Sequence, residues 1–205
     1  MSIKFFYTPQ SSADRVHGTL HALGVPYEEV RVNLRAGEQR TPEFLAINPN
    51  GKVPTLILDG TPMFESVAIQ IALGERYGVE KGLWPALGSP EHLTALTWLA
   101  WGQVALGGAI SRYMQNTADW FPKEQHNAPQ AAAAVAETRS LLAILDRHLE
   151  GRGFVTGERC TLADLDIAAT LGWGLMMLKI APTDFPNLAG WLERASKHLP
   201  QHSAS

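Results

Sequence analysis

The stretch Asn48–Gly60, NPNGKVPTLILDG, followed by Phe64-Glu65-Ser66, decides how this chain is read. Pro54 stands directly before an apolar run, Thr55–Leu58, that reads as a strand, and Asp59-Gly60 reads as a hairpin turn. The Val53-Pro54 bond is a candidate cis peptide, because an X-Pro bond loses most of its trans preference. A cis bond there presents the N–H and C=O of Val53 at a strand end, where an extended peptide can pair with them as an added strand. Glu65 and Ser66 open a helix, whose unpaired N–H groups and dipole favour an anionic group. Ser66 is therefore a candidate both to cap that helix and to bind a carboxylate. The same residues equally fit a proline turn followed by an ordinary cap.

On the N-terminal side, Ile3–Tyr7 (IKFFY) is β-branched and aromatic and reads as a strand. A helix follows with Val16, Leu20 and Leu23 on one face, stopped by Gly24 and Pro26. Tyr27–Val32 reads as a second strand, and Thr41-Pro42 as the cap and first turn of a short helix through Phe44 and Leu45. Thr61–Phe64 makes the fourth strand, with Pro62 at an edge or strand start. A helix from Ser66 to about Arg76 closes at Gly78. The order βαβαββα over residues 1–78 predicts an α/β domain with a mixed four-stranded sheet: one right-handed parallel crossover, then an antiparallel hairpin. Residues 79–90 (VEKGLWPALGSP) show neither period and read as a linker, and 91–205 read as an all-helical domain. Its helices are expected from about Glu91 to Asn116, from near Pro129 through Leu149, from Thr161, and from Leu188 to His198.

The 205 residues hold 17 Lys and Arg against 20 Asp and Glu, a formal charge of −3 that speaks against nucleic-acid binding. One cysteine, Cys160, leaves no internal disulfide, dithiol pair or multi-cysteine zinc site. The opening MSIKFFYTPQ lacks the features of a secretory signal, so a cytoplasmic address is expected. No charge falls between Leu93 and Ser111, yet Thr94, Thr97, Gln103 and several glycines dilute the segment, and a buried helix of a soluble bundle is expected. Asp14, His17 and His21 share one side of the first helix, which reads as a solvated polar face and not a metal site. No phosphate-binding loop, dinucleotide motif or nucleophile elbow is present.

The strand-helix opening, NPNGKVPTLILDG and the Glu65-Ser66 pair together resemble the glutathione-binding half of cytosolic glutathione transferases. GERCTLADLDIA, Gly157–Ala168, is similar to that family's capping-box segment; Thr161 can cap the helix while Asp164 reaches back. The resemblance runs from Ile3 to about His198. It implies a thioredoxin-like N-terminal domain, an all-helical C-terminal domain, a homodimer, and glutathione as co-substrate with no metal. It places the cysteinyl backbone of glutathione on Val53 beside Pro54, the γ-glutamyl carboxylate on Glu65 and Ser66, and the glycyl carboxylate near Lys52 and Gln39, with Arg40 an alternative to Gln39.

The residue that activates the glutathione thiol is expected at the start of the first helix. Ser11 to Arg15 is spaced as in serine-type classes such as delta and theta, which implies Ser11 as the hydrogen-bond donor to sulfur, with Ser12 and Tyr7 as alternatives. Lowering a thiol pKa from about 8.5 to about 6.5 raises its ionised share at pH 7 from about 3% to about 75%, for roughly 2.7 kcal/mol. For both serines an ordinary cap is the competing role, and Tyr7 alternates with Phe5 and Ile3 on one strand face that also reads as core. Trp101, Arg112, Tyr113 and Trp173 are candidates for an apolar electrophile pocket. Conjugation of glutathione to an apolar electrophile, as in detoxification, is the expected reaction. A glutathione-dependent reductase of disulfides or peroxides, and a non-catalytic assembly subunit, are the alternatives.

Overall fold

The structure, a computed structural model, describes residues 2–199. It divides into two compact units, the first running through Leu87 and the second spanning Gly88–His198.

The first unit contains β1 (Ile3–Tyr7), α1 (Ala13–Leu23), β2 (Glu28–Arg31), α2 (Pro42–Ile47), β3 (Thr55–Leu58), β4 (Thr61–Phe64) and α3 (Ser66–Leu73). The sheet order is β2-β1-β3-β4, with β1 parallel to β2 and antiparallel to β3, and β3 antiparallel to β4. This is the mixed four-stranded sheet that the order of elements predicts, and it fits the thioredoxin-like domain that the resemblance implies. Local chemistry sets the ends. Gly24, left-handed at φ +58°, stops α1 by donating its N–H to the carbonyls of Leu20 and His21. Thr41 caps α2 by accepting from the Phe44 N–H, with Pro42 in the first turn. Ile3, Phe5 and Leu56 of the sheet are buried, as are Val16, Leu20 and Leu23 of α1 and Ile69 and Leu73 of α3. Each such side chain contributes about 1.5–3 kcal/mol by leaving water. Phe6 points to the other face and meets Phe44 of α2 edge-on, ring centroids 5.9 Å apart.

After α3 the chain continues in one π-helical turn, Gly74–Gly78, instead of an α-helix reaching Arg76. The segment expected to be a linker is anchored here: Trp84 is buried, and a Cβ at Gly74 would stand 2.7 Å from its ring. Residues 79–87 therefore belong to the first unit.

The second unit is helical: α4 (Pro90–Trp101), α5 (Gly107–Gln115), α6 (Ala128–His148), α7 (Leu162–Leu178) and α8 (Pro186–Ser196). A π-helical turn, Gly102–Leu106, joins α4 to α5. It begins where α7 comes so close that a Cβ on Gly102 would lie 2.8 Å from Ile167 Cγ1. By length and composition the run Pro90–Gln115 is apolar enough to cross a membrane, and 33% of its most apolar window is buried. The expectation of a buried helix is thereby corrected. Leu99, Leu106 and Ile110 are buried on one face, whereas Leu93 is 61% and Val104 75% exposed.

The start of α7 carries the predicted capping box, Thr161 with Asp164. Asp164 Oδ2 accepts from the Thr161 N–H (2.9 Å) and hydroxyl (2.8 Å), while Oδ1 accepts from the Val155 N–H and the Trp191 indole N–H, both at 2.8 Å. Burial pushes this carboxyl above the usual carboxylate range, and the four donors act in the opposite direction. Asp166, also buried, accepts from the Gln103 amide at 3.1 Å. Two residues apart, the two aspartates serve different partners.

Candidate active site

Register brings the candidate residues to one end of the sheet. Phe6 near the end of β1 pairs with Thr55 at the start of β3, and Thr55 pairs with Phe64 at the end of β4. The loop that enters α1, the Val53-Pro54 turn and the Glu65-Ser66 step into α3 therefore all lie at the same end of the sheet.

The serine pair opens α1 with a division of labour. Ser11 Oγ donates to the Thr8 carbonyl at 2.6 Å and accepts from the Ala13 N–H at 3.1 Å, so it acts as the capping hydroxyl. Ser12 holds the N-cap position in helical geometry and makes no cap bond. Its hydroxyl instead crosses to the Val53 carbonyl, donating at 3.1 Å. The Tyr7 side chain has other partners. It stacks on Phe5 and His17, centroids 5.5 and 5.8 Å away, and burial first, then Glu29, pushes its phenol upward. His17, on the face expected to be solvated and polar, is partly exposed, with its Nε2 3.1 Å from Glu29 Oε1. Tyr27 donates to that same oxygen at 3.1 Å, and its phenol is pushed up to about 12, chiefly by burial and next by Glu29.

The Val53-Pro54 peptide is cis, as the sequence suggests. What shapes the loop before it is Asn48, which is buried and whose role the sequence reading missed. Its amide donates to the Lys52 carbonyl (2.8 Å) and to Thr55 Oγ1 (2.9 Å), and its Oδ1 accepts from the Asn50 N–H (3.0 Å). Thr55 Oγ1 in turn donates to the Lys52 carbonyl at 3.0 Å. An asparagine followed by Pro49, Asn50 and Gly51 was the available signal, since such a side chain readily folds a turn around itself. Gly51, at φ +58°, has no room for a side chain: a Cβ would lie 2.8 Å from Arg40 Nη1. Arg40 reaches the Asn50 carbonyl at 3.5 Å. Gln39 donates to the Leu34 carbonyl at 3.2 Å, and its buried Oε1 finds no partner among the described residues. The Lys52 side chain is exposed.

Glu65, not Ser66, is the N-cap of α3, which corrects the expected capping role of Ser66. Ser66 is the first helical residue and is buried. Glu65 is exposed and sits at φ +65°, ψ +115°, outside the conformations that side-chain-bearing residues favour. Strain of this kind persists where surrounding structure fixes it, and it concentrates at functional sites.

The pocket candidates lie on three helices of the second unit. Trp101 of α4 packs edge-on against Trp98, centroids 4.9 Å apart. Arg112 of α5 is paired with Glu137 of α6, which commits its guanidinium to bracing these helices. Tyr113 is half-buried and Trp173 of α7 is 43% exposed. No hydrogen bond or ring contact links these four to one another among the described residues. Cys160 is buried, and burial raises its thiol pKa well above the ordinary value. Among the described residues no group of three metal-ligating side chains converges.

This geometry agrees with what the chain matches. The family model for the glutathione S-transferase N-terminal domain covers residues 1–71, and that for the C-terminal domain covers 97–198. The chain belongs to the glutathione transferase family. Glutathione S-transferase D6 of Drosophila melanogaster is 28% identical over 183 residues, 89% of this chain and 81% of that protein. A glutathione transferase from Burkholderia graminis, crystallised with two glutathione molecules bound per subunit, is 27% identical with a TM-score of 0.81, covering 100% of this chain and 90% of its own. A glutathione transferase from Phanerochaete chrysosporium, at 24% identity, shares the fold with a TM-score of 0.86 over 96% of this chain and 90% of its own.

Proposed function

We propose that the chain is a glutathione transferase that binds glutathione on its first unit and adds the thiolate to an apolar electrophile. In this reading Val53 pairs with the cysteinyl backbone, Glu65, Ser66 and the start of α3 hold the γ-glutamyl end, and Lys52 with Gln39 serves the glycyl carboxylate. Ser11 swings its proton from the Thr8 carbonyl to the sulfur and stabilises the thiolate, while the Ala13 N–H keeps the hydroxyl oxygen oriented. The thiolate then forms a C–S bond with the electrophilic carbon, and the leaving group departs with its electron pair. The protein supplies thiolate stabilisation and the orientation of two reactants. Trp101, Tyr113 and Trp173 remain the apolar candidates for the second substrate. Arg112 is the weakest of the four, because Glu137 already holds it.

The observation that carries this reading is the hydrogen bond from Ser12 to the Val53 carbonyl, which sets the serine pair beside the peptide-docking turn. A cytoplasmic homodimer belongs to the same reading, and exposed Leu93 and Val104 are available to such a contact. Calorimetric titration with glutathione is expected to show saturable binding. Absence of both heat and thermal stabilisation rejects the enzyme and favours an assembly subunit.

A glutathione-dependent reductase is the second reading. Two observations favour it: the buried Cys160 offers no accessible protein thiol, and the Burkholderia graminis relative was crystallised with two glutathione molecules per subunit. Rates of chlorodinitrobenzene conjugation and hydroxyethyl-disulfide reduction in one preparation separate the two. Reduction without conjugation overturns the first.

A further inference from the structure

We propose that Ser12 is a positioning residue that acts through Val53, and that it does not activate the thiol. The proposal rests on the reading that Val53 docks the cysteinyl unit of glutathione.

The two serines are adjacent, yet their hydroxyls are committed in different directions. Ser11 has taken over the capping of α1, through the Ala13 N–H and the Thr8 carbonyl. A hydroxyl at the N-cap usually accepts from the helix's own N–H groups, but Ser12 makes no such bond. Its proton goes instead to the Val53 carbonyl, 41 residues away in sequence. This hydrogen bond ties the start of α1 to the turn that precedes β3. A carbonyl oxygen carries two lone pairs, so Val53 can accept from Ser12 and still accept from the N–H of a docked peptide. Ser12 thereby fixes the orientation of the Val53 peptide group relative to the start of α1, and so how firmly the docked backbone is held.

The consequence is a separation of roles within one dipeptide. Loss of Ser12 leaves the thiol donor in place and loosens the dock. Loss of Ser11 removes the donor and leaves the dock. In the full chain, Ser12→Ala is expected to raise KM for glutathione about tenfold, with kcat at saturating glutathione within about threefold of wild type. The thiol inflection in the pH profile of kcat/KM stays where it is in the wild type. Ser12→Thr restores the hydroxyl and is expected to restore KM.

Three results overturn the proposal. An unchanged KM in Ser12→Ala shows that the hydrogen bond positions nothing. An inflection displaced upward by about one unit makes Ser12 the thiol donor. A KM that Ser12→Thr leaves high assigns the effect to packing. If the wild-type chain binds no glutathione in calorimetry, the underlying assignment fails first. Binding in the wild type with no difference in Ser12→Ala defeats this proposal alone.

Discussion

Two helix starts in this molecule use the same chemistry for opposite ends. At α7, Thr161 and Asp164 form a capping box whose carboxylate receives four hydrogen bonds, two of them from outside its own turn, and all of it is buried. At α1, Ser11 and Ser12 are half-buried and exposed, respectively, and their hydroxyls reach a loop carbonyl and a distant turn. The first arrangement is closed, with every oxygen lone pair aimed at a fixed donor. The second is partly open, and in the proposed reading a ligand recruits the Ser11 hydroxyl. Burial, more than residue type, decides whether the polar groups of a cap stay open to a ligand.

The largest effect is expected at the closed start. Asp164→Ala removes a buried acceptor and strands four donors, which should cost about 3–5 kcal/mol and lower the thermal midpoint by about 10 °C. A loss under about 1 kcal/mol would mean that the network is not holding the fold, and the contrast between the two starts would break. Next comes Ser11→Ala, for which calorimetric glutathione affinity stays within a few-fold while kcat/KM falls about 100-fold, at the low end for one preorganised donor. The pKa of the bound thiol should climb back toward about 8.5. A third helix start sharpens the comparison. Glu65→Gly relieves the positive-φ strain and should add about 1 kcal/mol of stability, yet weaken glutathione binding about tenfold by removing a partner of its γ-glutamyl end. Paired thermal melts and calorimetry test both halves.

The smallest effect lies on β2, around Glu29. Tyr27 holds its proton more tightly in the folded chain than in the unfolded one, which titrates near 10. Its contribution to stability is complete below pH 10 and is lost as pH rises toward about 12. An ultraviolet titration should show this late tyrosine, and Glu29→Gln should bring it back toward 10 with activity at neutral pH unchanged.

Features written within a few residues of one another were legible in the sequence. Gly24 as a stop, Thr41-Pro42 as a start, the Thr161–Asp164 box and the cis bond at Val53-Pro54 each carry their own geometry. The sheet followed because βαβαββα admits few topologies once the crossover hand is fixed. What failed to show depends on partners brought together only by folding. Glu29 recruits His17 across 12 residues, so a histidine on a polar helix face became part of a buttress. Ser12 finds Val53, and Trp84 folds back over Gly74 to turn an expected linker into part of the first unit. Ser66 lost its capping role to Glu65 because a glutamate in a positive-φ conformation has no signature in a single sequence. Arg112 looked like a group facing a cleft, because its partner Glu137 lies on another helix.

The interment of Cys160 has a practical consequence for a protein that would handle another molecule's sulfur. Its thiol is buried and held protonated, so the descent from sulfenic to sulfonic acid has no foothold on the folded chain. An oxidant burst that consumes the cell's tripeptide pool would leave this cysteine unaltered when the pool is replenished.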